Sequence, residues 1–136
     1  MKKIALLLLV IACFLCMGMG AADDTMAVKE IPEPDRNFKV EVVDATDTSF
    51  TVEHFSVEGL TFIPVEMGRA DVALDFAEIR SATFNLQGDK VRADISFTGE
   101  RTNSVTLQPD LTFYGKSQWG NVRLEAADIR KIDFIE

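Results

Sequence analysis

The sequence predicts an all-β domain, and three features of the chain support that prediction. Apolar and polar residues alternate strictly over several short stretches, of which Val91–Phe97 is the clearest. A period of two places one set of side chains on one face of a strand and the other set on the opposite face. No stretch of about ten residues keeps the period of an amphipathic helix. The third feature is a block of sequence that occurs twice.

The repeated block covers Asp71–Phe84 and Asn121–Phe134, where Val, Leu, Ala, Ile, Arg and Phe recur at equivalent places. Upstream, residues 60–62 and 111–113 both read Leu-Thr-Phe, which requires one residue of slippage in the connecting turn. Self-similarity of this kind indicates a duplicated structural unit. We therefore predict a tandem duplication of an antiparallel β unit of roughly 45–50 residues.

Each copy is predicted to contain five strands and, just before the last one, a single helical turn. The copies span 38–86 and 89–136, and the Gly-containing link at 87–89 is typical of a hairpin. The two copies should therefore share a sheet, in one sandwich or in two fused small barrels. The strands are expected near residues 38–43, 49–57, 60–65, 71–76, 81–86, 90–98, 104–107, 111–115, 121–126 and 131–135.

The N-terminus has the three parts of a bacterial-type export signal. Lys2 and Lys3 precede an uncharged apolar run, and small residues end that run at Ala22. Residues 1–22 are therefore predicted to be a signal helix that is cleaved after Ala22. Two alternatives stay open: lipidation of Cys13, and retention of the segment as a membrane anchor.

Residues 23–37 are predicted to be a flexible tether ahead of the β domain at 38–136. They include Pro32, Pro34 and several charges but few large apolar groups, so they cannot bury much surface. If Cys13 carries a lipid, this segment is the stalk of a lipid-anchored protein.

Charge and cysteine content exclude several classes of function. Cys13 and Cys16 both lie in the predicted signal, so the mature chain has no disulfide, zinc–thiolate site or cysteine nucleophile. Without Lys2 and Lys3 the chain has 12 basic and 22 acidic residues, a formal charge of −10. An acidic body repels phosphate backbones and anionic headgroups, so we expect no nucleic acid partner, and membrane contact only through Cys13. The expected location is the periplasm or the extracellular space.

No arrangement of residues predicts catalysis or a cofactor. His54 is the only histidine, and nothing near it in the sequence completes a triad. Asp71 and Asp75 share one face of a predicted strand and resemble a carboxylate pair. Since Asn121 and Glu125 repeat the pattern in the second copy, a structural role explains it more simply. We therefore expect a protein that is not an enzyme.

The turn at Asp44–Ser49 is rich in oxygen ligands and has some of the character of a calcium loop. It lacks the alternating ligand series that ends in a bidentate Glu. Strand turns favour Asp, Thr and Ser for backbone hydrogen bonding in any case. We expect ordinary turn chemistry and no metal.

Arg80 and Arg130 occupy the same place in the two copies. Capture of an anionic ligand is one interpretation. Recurrence in both copies favours structural ion pairs within each copy, of Arg80 with Glu78 or Asp75 and of Arg130 with Asp128 or Glu125.

Tyr114 and Trp119, the only Tyr and Trp, frame a stretch between two strands of the second copy where the first copy has no aromatic residue. A Trp at a loop tip is typical of a protein hot spot or a sugar platform. The leading hypothesis is an exported, non-catalytic cell-envelope or periplasmic domain that binds another envelope protein or stabilises an assembly. A binder of carbohydrate or another small ligand through the same two residues is the alternative, and a carboxylate-dependent hydrolase is a remote third.

Overall fold

Ten antiparallel strands form one sheet that curls into a half-barrel. The computed structural model describes residues 28–135, of which residues 31–135 belong to one compact unit. The fold class is therefore all-β, as predicted. The strands are β1 Val40–Asp44, β2 Ser49–Val57, β3 Phe62–Met67, β4 Ala70–Asp75, β5 Ile79–Gln87, β6 Lys90–Phe97, β7 Thr102–Leu107, β8 Thr112–Ser117, β9 Gly120–Glu125 and β10 Ile129–Phe134. Single 3₁₀ turns at Phe76–Glu78 and Ala126–Asp128 precede β5 and β10.

The strand order is β4-β3-β7-β6-β5-β10-β1-β2-β8-β9. The β3–β4 hairpin lies beside β7, and the β8–β9 hairpin lies beside β2, so each half of the chain gives a hairpin to the other half. If each strand is replaced by its counterpart five strands away in the sequence, the order reads the same in reverse. Because the hairpins pair across the two halves, the strands form one continuous sheet in place of the sandwich or the two fused barrels that we expected.

The strand register at the centre of the sheet is also equivalent when the two halves of the chain are interchanged. Ala82 of β5 lies opposite Ile132 of β10. The pairing of β1 with β10 and that of β5 with β6 each contain one irregularity, at which Arg130 and Arg80 are the residues skipped. Both arginines therefore occupy equivalent β-bulges.

Hydrogen bonds at the loops also occur in equivalent pairs. Ala45 N–H, in the β1–β2 turn, donates to Asp128 O at 2.8 Å, and Thr98 N–H, in the β6–β7 turn, donates to Glu78 O at 3.0 Å. Each turn thus satisfies a carbonyl of the 3₁₀ turn that belongs to the other half of the chain.

The core lies on the concave face of the curled sheet. Phe84 of β5 and Phe113 of β8 are four places apart in the strand order, which is about 19 Å in a flat sheet at about 4.8 Å per strand. Their ring centroids are only 6.0 Å apart. Phe55 of β2 stacks between Phe76 and Phe113, with centroids at 5.5 and 5.3 Å. Aromatic contacts therefore connect the middle of the sheet with a strand near one of its ends, across the concave face.

Residues 31–37, which fall in the predicted tether, run along the β domain. Arg36 donates to Thr61 Oγ1 at 2.6 Å, pairs with Asp75 at 2.9 Å and lies over the ring of Phe38 at 5.1 Å. Asn37 Oδ1 accepts the His54 N–H at 2.8 Å. The tether at 23–37 stays a prediction, and its residues 23–27 lie outside the described residues.

The predicted signal at 1–22, with Cys13, also lies outside the described residues. Between residues 28 and 135, no helix has the length and apolar character that a bilayer crossing requires. Export, cleavage after Ala22 and lipidation of Cys13 stay predictions.

Candidate functional site

The β8–β9 hairpin presents Trp119 to solvent. The sequence predicted a loop over 115–120, but β8 continues to Ser117 and only Gln118 and Trp119 form the turn. The hydroxyl of Ser117 accepts the Trp119 N–H at 3.1 Å and donates to Gly120 O at 2.9 Å, which holds the turn in shape. Gly120 takes φ 133°, a conformation that side chains disfavour. The indole is 81% exposed at the tip.

A groove of about 460 Å³ lies beside this turn, between the start of β2 and the end of β8. Phe50 and Trp119 are its aromatic residues. The rest of the lining is polar and comprises Lys39, Ser49, Thr51, Glu53, Lys116, Ser117 and Gln118. The groove thus combines aromatic surface with two cations and a single carboxylate.

Lys116 is already in contact with a carboxylate of the N-terminal segment. Its Nζ donates to Glu33 Oε1 at 2.9 Å. The hydrogen bond and the charge of Lys116 lower the pKa of Glu33, with a smaller contribution from His54. Both partners are exposed to solvent, so the pair is weak and its carboxylate is replaceable.

The β8 strand reaches this position because residue 115 is glycine. Gly115 is buried opposite Val52, where a Cβ would overlap the Val52 side chain. The counterpart of Gly115 in the other hairpin is Val65. The other hairpin therefore carries a valine side chain at the place where β8 carries a glycine against β2.

The equivalent position on the other half of the sheet has different residues. The symmetry of the strand pairing places Asn103 at the position of Phe50, and Gly68 and Arg69 at those of Gln118 and Trp119. Asn103 Nδ2 there contacts Met67 Sδ at 3.6 Å. Within residues 28–135, the equivalent position in the other half of the sheet therefore lacks both aromatic residues.

Tyr114 does not share the groove with Trp119. It is half-buried on β8 between Ser56 and Arg123, and it is not a lining residue. Of the two predicted contact residues, only Trp119 lies at the groove.

The other predicted residues occupy structural positions. His54 takes φ 51° where the pairing of β2 with β8 is irregular. Arg130 pairs with Asp47 and donates to Ala45 O at 3.3 Å, so its partner is in the β1–β2 turn and not at Asp128. Among the described residues, no carboxylate lies within ion-pair distance of Arg80, so the Glu78 pair is not formed in this structure.

The carboxylates also have structural partners. Asp75 caps the first 3₁₀ turn by accepting the Ala77 N–H at 2.9 Å. Asp44 accepts from the hydroxyl of Thr46 at 2.7 Å and from the Thr48 N–H at 3.0 Å. That Asp44 oxygen is therefore used inside the turn. Over the part of the chain that the structure describes, no three His, Cys, Asp or Glu side chains are grouped to hold a metal ion.

Sequence reasoning missed Phe50, Thr51 and Lys116. The signal that marks Phe50 is its difference from Asn103 at the equivalent place. That equivalence depends on strand register, which the divergent first strands of the two copies do not reveal.

A protein-family model with the description "Uncharacterised protein" matches residues 34–136. No curated protein and no solved structure matches the chain.

Proposed function

The chain belongs to the family whose model covers its residues 34–136, and we propose that this β domain is a non-catalytic module that binds another protein of the cell envelope through the Trp119 groove. The exposure of the Trp119 indole carries the proposal, because 81% of this large apolar side chain faces water. Burial of such a ring by a partner releases hydrophobic free energy, and Trp is among the commonest binding hot spots.

The lining of the groove favours binding over chemistry. Glu53 is its only carboxylate, and no histidine or cysteine lines it. Neither a two-carboxylate nor a triad mechanism has its parts there. A shallow aromatic surface with polar margins is typical of a recognition site.

The proposed location is the periplasm or the cell exterior, with lipid attachment at Cys13 as the alternative to cleavage after Ala22. The sequence of residues 1–22 supports export. Mass spectrometry of the mature N-terminus distinguishes the two forms.

The proposed origin of the scaffold is a tandem duplication. Its support is the strand order, which is unchanged when the two halves are exchanged, together with the equivalent bulges at Arg80 and Arg130. In a duplicated scaffold, a feature present in only one half, such as Trp119, is a candidate for function rather than folding.

In-cell crosslinking tests the proposed function. Trp119→Ala should remove specific envelope proteins from the set crosslinked to the exported protein. Arg69→Ala is the matched control, because Arg69 occupies the same turn position in the other hairpin. An identical crosslinked set for wild type and Trp119→Ala would exclude this groove as the binding site.

Carbohydrate binding is the second candidate, and the polar lining around Trp119 favours it. Thr51, Glu53 and Gln118 can hydrogen-bond to sugar hydroxyls while the indole stacks on a sugar face. Because Trp119 is the only Trp, its fluorescence reports directly on the groove. Glycans that leave the emission unchanged at saturating concentration would exclude this candidate.

A further inference from the structure

The edge of β2 that borders the groove lacks a neighbouring strand along part of its length. Ser49–Val52 pair with β1 on one side. On the other side, pairing with β8 begins only at Glu53, opposite Lys116. The β8–β9 hairpin turns away after Ser117, so β2 continues past it alone.

The backbone direction in β1 determines which groups of β2 face the groove. Lys39 O accepts from Ile135 N–H at 2.9 Å, on the β10 side, and Phe38 O accepts from Phe55 N–H at 3.2 Å, on the β2 side. Backbone groups alternate in direction along a strand. The backbone N–H and C=O groups of Val40 and Val42 therefore point towards β2.

The same alternation applies to β2. Val52 and Phe50 lie opposite Val40 and Val42, so their backbone groups point towards β1. Those of Ser49 and Thr51 point the other way, into the groove. Among the described residues these groove-facing groups have no pairing partner, because β8 does not extend beside them.

On the equivalent edge of the other half of the sheet, one backbone donor is already occupied. Ser104 is the counterpart of Thr51, and its N–H donates to the side-chain Oδ1 of Asn103 at 2.8 Å. Phe50 stands in place of Asn103 and has no oxygen with which to accept the Thr51 N–H. One half of the scaffold thus occupies this backbone donor, and the other leaves it open beneath an exposed Trp.

We propose that the groove binds an extended peptide, which adds as a strand to β2 at Ser49–Thr51. An open strand edge offers main-chain hydrogen bonds, and pockets for alternate side chains give specificity. An incoming strand would lie about 4.8 Å from β2, in the space that β8 leaves. This inference rests on the proposed function and specifies how the partner binds.

The lining also indicates the chemistry of the peptide. Phe50 and Trp119 offer aromatic surface to one apolar side chain. Lys39 and Lys116 are the two cations of the lining, and Lys116 already pairs with the exposed carboxylate of Glu33, so this groove can hold an acidic side chain. The peptide therefore carries an acidic residue next to an apolar one, and its carboxylate replaces Glu33 on Lys116.

Peptide selection provides the test. The probe is a phage-displayed library of random, short linear peptides, selected on the full mature protein. Enriched peptides should pair an acidic with an apolar residue. Hydrogen exchange at the Thr51 amide should slow when such a peptide is bound.

Two substitutions examine the strand edge itself. Phe50→Asn should occupy the Thr51 N–H, as Asn103 occupies that of Ser104, and it also removes the Phe50 ring from the groove. Peptide binding should therefore weaken by at least about tenfold, the value of one backbone hydrogen bond. Thr51→Pro removes the same N–H without disturbing the pairing with β1. Ser104→Pro is the matched control and should leave binding unchanged.

The outcomes separate this inference from the proposed function. Loss of binding on Trp119→Ala with full binding by Phe50→Asn and Thr51→Pro would overturn strand addition but leave the groove as the binding site. Enriched peptides that do not slow exchange at Thr51 would also overturn it, and that measurement needs no variant. Binding only of glycans, or no Trp119-dependent enrichment, would overturn both.

Discussion

Gly115 and Val52 pack so closely that no side chain fits between them. A Cβ on Gly115 would overlap Cγ1 of Val52 and lie 3.0 Å from Glu53 O. The neighbour is a buried valine on a paired strand, so it cannot move aside. This contact brings the β8–β9 hairpin onto β2, and it therefore determines where Trp119 sits.

Gly115→Ala should destabilise the domain by about 1–3 kcal/mol, the usual range for overpacking a rigid core. Urea unfolding followed by circular dichroism measures the free energy of unfolding. Gly99→Ala is the control, because a Cβ there meets only Arg101 Nε at 3.9 Å. The double variant with Val52→Ala should lose less than the sum of the two single losses. Additive losses would show that Val52 is not the obstacle.

Arg36→Ala should lower the free energy of unfolding by about 1–2 kcal/mol. Thr61 is a buried polar residue, 5% exposed, and its hydroxyl would lose the Arg36 donor. The ion pair with Asp75 adds little, because both side chains are more than 40% exposed. Arg36→Lys should recover only part of the loss, since one ammonium cannot reproduce the planar fork. Equal stability of Arg36→Ala and wild type would mean that residues 31–37 do not hold to the domain.

His54 should behave as a backbone-conformation residue rather than as a binding group. Its φ of 51° is tolerated by Asn and Gly but is strained for a β-branched side chain. His54→Val should therefore cost about 1–3 kcal/mol, while His54→Asn stays close to wild type. Denaturant unfolding of the two variants gives the comparison. Similar losses in both would instead indicate that the imidazole itself is required.

Acid should destabilise the protein through Asp44 and Asp75. The pKa of Asp44 is lowered chiefly by the Thr46 hydroxyl, and that of Asp75 by the Ala77 N–H and then by Arg36. A carboxyl group with a depressed folded-state pKa contributes stability above its unfolded pKa and loses it as pH falls through the folded one. Stability should thus be level between about pH 5 and 8 and fall below about pH 4.

Asp75→Asn tests the assignment. This variant should be less stable at neutral pH, chiefly because a neutral amide oxygen accepts the Ala77 N–H more weakly than a carboxylate does. It should also lose less stability on acidification, since one of the titrating groups is gone. Urea midpoints at neutral and acid pH measure the stability at neutral pH and its loss on acidification. If Asp75→Asn loses as much stability on acidification as wild type, Asp75 does not contribute to the acid sensitivity.

The sequence predicted the strands well because burial imposes a period of two on this sheet. Ile79 and Ile129, which occupy equivalent places in the repeated block, are 2% and 4% exposed. The match between residues 60–62 and 111–113 misplaced the hairpins by one residue, since the pairing aligns Ile63, not Phe62, with Phe113. A shift of one residue moves a side chain to the other face of the sheet. The buried members, Ile63 and Phe113, are both 1% exposed.

The hairpin exchange and the groove could not be predicted from the pattern. Alternation states which face of a strand is buried but not which strand lies beside it, so β8 could equally have paired within its own half. Trp119 was identified because it is a lone aromatic residue. Phe50 was not identified, because its position beside Trp119 depends on the hairpin exchange between the two halves. The Arg130–Asp47 pair has the same origin, since Asp47 belongs to the other half of the chain.

The exchange predicts that neither half of the chain folds alone. Of the nine pairings in the strand order, five join strands from different halves, including every contact of β5 and β10. Residues 31–88 and 89–136, expressed separately, should give circular dichroism without a cooperative thermal transition. Mixed at equal concentration they should recover one, with a midpoint that rises with concentration. Val52→Asp in the first half should prevent recovery, because it buries a charge against Gly115. A cooperative transition in either half by itself would mean that the hairpins can pair within their own half.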